Sequence, residues 1–241
     1  VGVKIIMTRA IHYIKLCQAQ RMDAMRNSWK LRNITRKDKQ KNIIDIAKRM
    51  KIPPLLIIRR LLLLDDLGRK QVNQVLEGSL FIDEKYAEMI DGASQHDFIN
   101  TPLANKRAKE RGLEGELILR EWMEHLNLEY GIDLANGISM PDILLKNPMS
   151  IYDLKVDWIE SKSSFGGKFE MFKHSKQFKR FDKYGKGIIV FWFGYEYSNG
   201  FNMISGTKIK RLMPPNLRQR VTKMLDFVPP EYTKWIKEYG G

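Results

Sequence analysis

Six apolar residues in a row, Ile188, Ile189, Val190, Phe191, Trp192 and Phe193, stand between Gly185 and Gly187 on one side and Gly194 on the other. So continuous a β-branched and aromatic run, punctuated by glycine, reads as a strand with no polar face. A strand buried on both sides needs a layer of structure against each, which commits this part of the chain to an α/β layered domain. The neighbouring patterns supply the layers. A long helix is expected over 104–126, a strand over about 142–146, a loop at Asn147-Pro148, a strand over about 155–163 and a helix over about 172–184. A last strand is expected near 201–205, then helices over 216–226 and 231–239, separated by Pro229-Pro230.

The first hundred residues read differently. Helical spacing dominates from residue 1 to 35, and a basic run follows from Arg26 to Lys41 that includes Trp29, Arg36 and Lys37. Residues 42–50 and 55–64 form two apolar-periodic helices joined by Lys51-Ile52-Pro53-Pro54, where proline ends one helix and opens the next. Two helices so tightly joined make a helix-turn-helix candidate whose second helix offers Arg59 and Arg60 to DNA; an ordinary helical hairpin is the plainer alternative. Shorter helices follow near 70–76 and 83–90. The polar stretch from Gly92 to Pro102 reads as a linker, giving a helical domain over 1–100 and an α/β domain over 101–241.

Charge narrows the partners. With 42 basic and 28 acidic residues the chain carries a net +14, which points to a polyanion, most simply nucleic acid, against the alternative of a generally solvated basic surface. Cys17 is the single cysteine, so intramolecular disulfides and thiolate metal sites are excluded, as suits a reducing compartment. The opening residues lack a signal-peptide pattern, and the most apolar run, 52–64, is too short and too charged to span a membrane.

One constellation carries chemistry: Pro141-Asp142 followed by Glu160-Ser161-Lys162. Alternation along a strand puts Glu160 and Lys162 on one face with Trp158 and Val156, and Ser161 and Ile159 on the other. A hairpin centred near residue 150 or 151 brings Asp142 opposite Glu160, so two carboxylates and an ammonium converge at its mouth. Two such carboxylates repel unless a cation joins them, and a divalent ion with oxygen ligands fits. That ion polarises a phosphoryl oxygen and activates water, while Lys162 orients the water or stabilises the transition state. A solvated Glu-x-Lys strand beside a Pro-Asp turn is the plain alternative.

Three blocks, Ser139-Met140-Pro141-Asp142, Trp158 to Gly166, and Gln177-Phe178 with Tyr184 to Gly194, resemble the PD-(D/E)xK nuclease superfamily and, more narrowly, its TPD-motif family, which has archaeal and eukaryotic members. The resemblance covers residues 110–195 well and the N-terminal region loosely. It implies a restriction-endonuclease-like mixed sheet flanked by helices, with an all-α helix-turn-helix domain before it. It implies Asp142, Glu160 and the Ser161 carbonyl as metal ligands, Lys162 as the catalytic lysine, and Gln177 as the glutamine on the helix after it. A helix glutamate completes such sites; Glu116 fits the spacing after Gly112 better than Glu114. The family's threonine is Met140 here, a departure that bears on backbone support. His174, one turn before Gln177, is a candidate helper.

The expected function is a Mg²⁺- or Mn²⁺-dependent nuclease acting on nucleic acid, DNA rather than RNA, with Arg36, Lys37, Arg59 and Arg60 contacting the substrate. The alternative is an inactive nuclease fold serving as a binding or scaffold module. Related nucleases often pair, so a homodimer is within the expectation. The location would be cytoplasmic, at the nucleoid, in a prokaryotic or archaeal cell and nuclear in a eukaryotic one.

Overall fold

The computed structural model describes residues 9–131 and 140–239. Residues 1–8 of the helical region expected over 1–35, and Ser139 ahead of Pro141-Asp142, lie outside the described residues. The chain divides into two compact units, Lys15–Arg107 with Val228–Gly241, and Val1–Ile14 with Ala108–Phe227.

The first unit is helical. Its elements are drawn from α1 (Arg9–Asn27), α2 (Ile43–Met50), α3 (Pro54–Leu64), α4 (Arg69–Leu76), α5 (Glu84–Ser94) and the start of α6 (Pro102–His125). Asn42 caps α2 by accepting from Ile44 N at 2.9 Å. Lys51, at φ 54°, stops α2, and Pro54 opens α3 as its first residue. Leu55, Ile57, Ile58, Leu61 and Leu62 of α3 are buried among Ile43, Ile46, Val72, Val75 and Tyr86, so α3 is the core of this unit.

The stretch expected to be a linker is instead ordered by one buried carboxylate. Asp97 Oδ2 accepts from Leu55 N at 3.2 Å, and Oδ1 accepts from Ile99 N at 3.1 Å and Asn100 N at 2.9 Å. Helix α5 also runs through Gly92 to Ser94, where the linker was expected to begin. Asp97→Ala strands those N–H groups without acceptors and is expected to cost about 3 kcal/mol, measured by urea unfolding against the parent.

The second unit holds a mixed five-stranded sheet among the described residues, in the order β1 (Tyr130–Gly131), β2 (Ile143–Ile151), β3 (Leu154–Lys162), β4 (Gly187–Phe191), β5 (Met203–Ser205). The first three strands are antiparallel neighbours; β4 runs parallel to β3 and β5 parallel to β4. Helix α7 (Lys168–Phe181) makes the crossover and packs Met171, Phe178 and Phe181 on Trp158, Ile189 and Phe191. Helix α8 (Gly206–Ile209) and helix α9 (Pro215–Asp226) follow, and α10 (Pro230–Tyr239) belongs to the helical unit. The β4 residues are all buried, as the apolar run requires, and Gly194 at φ 88° ends the run just past the strand.

The β2–β3 hairpin differs from expectation in its interior. Asn147-Pro148 is not the loop; β2 continues through it, and the turn is Tyr152-Asp153, with Tyr152 at φ 52°. Met149 pairs with Val156, whereas an unbroken ladder from the Ile143–Ile159 pair would place Met149 against Asp153. A bulge between Leu144 and Met149 absorbs those three residues. Pro148 brings no N–H to a ladder, which suits it to an irregular stretch.

Candidate active site

The bulge decides where Asp142 lies. Beyond it the ladder runs Leu144–Trp158, Ile143–Ile159, and the same register carried one residue past the strand's start sets Asp142 opposite Glu160. Their bonds are reciprocal. Asp142 N donates to Glu160 Oε2 at 3.1 Å, and Ser161 N donates to Asp142 Oδ2 at 2.7 Å. Each carboxylate is thus pinned by the other strand's backbone. Glu160 Oε1 faces away from that exchange and accepts from Lys162 Nζ and, at 3.2 Å, from Gln177 Nε2 of α7.

The alternation of β3 shows in what each face meets. On one face Lys162 lies over the Phe178 ring, 5.8 Å from its centroid. On the other, Ser161 Oγ accepts from Trp192 Nε1 at 2.8 Å. Helix α6 presses on that second face at Gly115. A Cβ there would stand 2.4 Å from Trp192 Nε1, 2.8 Å from Ser163 Oγ and 2.9 Å from Ser161 Oγ. Only glycine permits so close an approach. Ser163 Oγ also donates to Arg111 O at 2.8 Å, a second tie between β3's end and α6.

The next residue on α6 is Glu116. Burial first and then the charge of Asp142 push its carboxyl up, against Arg120 and Lys162, so it belongs to the same electrostatic neighbourhood. Arg120 Nη2 lies 3.5 Å from its Oε2. Glu114 does not join it: its oxygens take Arg220 Nε and Nη2 of α9 at 2.9 and 3.0 Å.

Glu160 is only 1% exposed. Burial, and then the Asp142 carboxylate, raise it to about 7 despite the Lys162 ammonium. The unfolded chain ionises this group near its ordinary 4.5, the folded one only near 7. Its stabilising contribution is therefore complete below 4.5 and lost as pH rises through about 7. Thermal melts across that window are expected to show parent stability falling relative to Glu160→Gln, which does not titrate.

Behind Gln177 runs a chain that spacing alone had left incomplete. His174 Nδ1 lies 3.2 Å from Gln177 Oε1, and His174 Nε2 lies 3.3 Å from Glu170 Oε2, which also accepts from Ser164 Oγ at 3.3 Å. His174 therefore orients the amide that reaches Glu160. Glu170 and Ser164 were not foreseen; Glu170 and His174 at i, i+4 and Gln177 three further on were the signal.

The proposed nucleic-acid contacts belong to the helical unit. Arg36 is engaged inside the helical unit, with Nη2 at 2.7 Å from Asp66 Oδ2 and Nε at 2.5 Å from Leu64 O. Arg59 donates to Asn73 Oδ1 at 2.9 Å, Arg60 is half-buried, and Lys37 is exposed. Near Lys37 in sequence, Trp29 is 55% exposed with Arg32 5.4 Å and Lys30 5.9 Å from its ring centroid.

Among the described residues no three His, Cys, Asp or Glu side chains form a ready metal cluster. The donor chemistry nonetheless suits a hard cation. Asp142, Glu160 and Glu116 offer only oxygen, and the Asp142 charge that, after burial, raises Glu160 and Glu116 is what a divalent ion would offset.

A mixed sheet with paired carboxylates and a lysine at a bulged hairpin defines an α/β protein with an acidic, partly buried centre. The chain belongs to the TPD sequence-motif family, described as proteins of unknown function, whose model matches residues 82–209. It is similar to the CDAN1-interacting nuclease 1 of Xenopus laevis, 25% identical over 201 residues, covering 78% of this chain and 66% of that one. The Danio rerio protein of that name is 28% identical over 167 residues, covering 64% and 56%. The Homo sapiens protein is 28% identical over 112 residues, covering 44% and 40%. The chain thus spans about two thirds or less of the length of these relatives. No solved structure matches it. Among the described residues, no helix is long and apolar enough to cross a membrane.

Proposed function

We propose that the chain is a divalent-metal-dependent nuclease of restriction-endonuclease-like fold, hydrolysing phosphodiesters in DNA in preference to RNA. The observation that carries this reading is the reciprocal bonding of Asp142 and Glu160 with Lys162 on the same carboxylate. The name of its relatives, nuclease, supports it.

Asp142, Glu160 and the Ser161 carbonyl, with Glu116 beside them, would hold Mg²⁺ or Mn²⁺. The ion supplies Lewis-acid polarisation of the phosphoryl oxygen and a water of lowered pKa. The chain's own groups do the rest. Lys162 turns from Glu160 toward the charge that develops on the phosphoryl group. Gln177, braced by His174 and Glu170, holds the Glu160 side chain in place. Burial of Glu160 keeps bulk water from that carboxylate, while Asp142 stays partly open. The net +14 draws the polyanion, and Lys37 with the Trp29 cluster of the helical unit gives it phosphate and stacking contacts.

The test is a panel of single-stranded, duplex, flapped and branched DNA and matching RNA, each with Mg²⁺ and with Mn²⁺. Metal-dependent cleavage of DNA upholds the reading. A second reading, an inactive nuclease fold that binds nucleic acid, draws on the present engagement of Glu160 Oε1 by Lys162 and Gln177. Binding without cleavage of any substrate by either metal selects it and sinks the first.

A further inference from the structure

Helix α7 has two unlike faces. The inner one carries Met171, Phe178 and Phe181 into the core and His174 and Gln177 toward Glu160. The outer one carries Lys168, Phe172, Lys173, Lys176, Lys179 and Arg180, all exposed. At about 100° per residue these six fall within an arc of about 140°, in the angular order Lys168, Lys179, Phe172, Lys176, Arg180, Lys173. Lys173 borders the side on which Gln177 lies.

This is not the usual solvated helix surface. An ordinary exposed face interleaves acids with bases, but the single acid of α7 is Glu170, which is buried. Among the described residues none of the five cations has a side-chain hydrogen bond or an ion pair. Amid them Phe172 is 79% exposed, the most exposed of the large apolar side chains among the described residues. A lone exposed ring is ordinary by itself, but set within a cationic arc it matches a partner that carries charge and an apolar face together. That partner must offer negative charge at several points and a flat apolar face between them.

We infer that the outer face of α7 is the track for an unpaired nucleic-acid strand, with phosphates on Lys173, Lys176 and Arg180 and a base stacked on Phe172. A strand's phosphates repeat along one side and its unstacked bases turn to the other, so cations flanking an aromatic ring match it. A paired duplex offers the phosphates but hides its base faces, leaving Phe172 uncovered. The inference rests on the nuclease reading in one respect. Gln177 shares this helix and Lys173 borders its side, so a strand lying on α7 would reach the site only round that edge of the helix.

The experiment uses the full chain in EDTA, with fluorescein-labelled oligothymidine of about 20 nucleotides and a blunt duplex of similar length, read by anisotropy over a salt series. Phe172→Ala is expected to weaken oligothymidine binding about tenfold and duplex binding less than about twofold. The triple variant Lys173→Ala, Lys176→Ala, Arg180→Ala is expected to weaken both and to reduce the salt slope on oligothymidine by about 2. All these side chains are exposed, and circular dichroism confirms that the variants fold. Unchanged oligothymidine binding by Phe172→Ala, or equal loss on both probes, overturns the stacking assignment. An unchanged salt slope in the triple variant overturns the track. Cleavage by the parent is scored separately with metal. Cleavage that persists while both variants bind like the parent removes this proposal alone. Binding that responds in a protein that cleaves nothing upholds the surface and removes the nuclease reading.

Discussion

Lys162→Ala is expected to lower cleavage by about a thousandfold while leaving nucleic-acid affinity within about twofold of the parent. The asymmetry follows from where the ammonium sits. Its Nζ bonds Glu160 Oε1, and the Phe178 ring lies on one side of it, so it is a site group and no part of the exposed cationic surface. Removing it takes away a charge aimed at the developing transition state, an effect confined to turnover. It also leaves Glu160 and Asp142 facing each other without their counter-charge, so Glu160 is expected to hold its proton to still higher pH. Asp142→Ala should be equally inactive for another reason. It strips Ser161 N of its acceptor and unpins the mouth of the hairpin. Single-turnover cleavage and filter binding on the same preparations separate the two effects. A Lys162→Ala protein that cleaves at the parental rate would remove this residue from the mechanism.

Gly115→Ala should disturb the fold at one point and the site with it. The added methyl meets the Trp192 nitrogen and two serine hydroxyls at distances no real Cβ tolerates. Trp192 is wholly buried, so it has nowhere to retreat. Overpacking of this kind costs about 1–3 kcal/mol, and breaking the Trp192–Ser161 hydrogen bond adds to it, so a loss of about 3 kcal/mol is expected on urea unfolding. The displaced α6 also carries Glu116 away from Asp142. Activity should therefore fall more than tenfold even at temperatures where Gly115→Ala remains folded. Gly112→Ala, with open space at its Cβ, is the control and should be close to neutral.

Much of the architecture was legible because it is periodic. The apolar run at Ile188–Phe193 announced β4, the Pro53-Pro54 pair announced the break between α2 and α3, and the helical pattern over 104–126 announced α6. Each is a local pattern, where sequence neighbours are spatial neighbours. Three features were not legible, and all of them are tertiary. Asp97 looked like one more polar residue in a linker, and only the position of Leu55 N makes it a cap. The hairpin turn was read from the polar stretch at 147–154, yet Tyr152 takes the left-handed conformation while Pro148 stays within a strand. Gly115 carries no signal at all, since nothing in a helix's own periodicity says that Trp192 will arrive at that spot. The functional residues show the same division. Alternation put Glu160 and Lys162 together on one face, whereas Arg36, taken from a basic run, and Arg59, taken from the second helix of the candidate pair, are occupied by Asp66 and Asn73.

The bulge in β2 bears on how kinship among such chains is detected. Asp142 and Glu160 are 18 residues apart, but that interval is set by the slack that β2 takes up beside Pro148. Lengthening the tip at Tyr152-Asp153 leaves the lower ladder where it is. A residue added between Leu144 and Met149 is likewise taken up by the bulge, leaving Ile143 against Ile159. Distant relatives can therefore keep the two acids facing each other while differing freely in the number of residues between them. A motif written with a fixed interval will miss them, and one that lets the gap float while holding Ile143 against Ile159 will not.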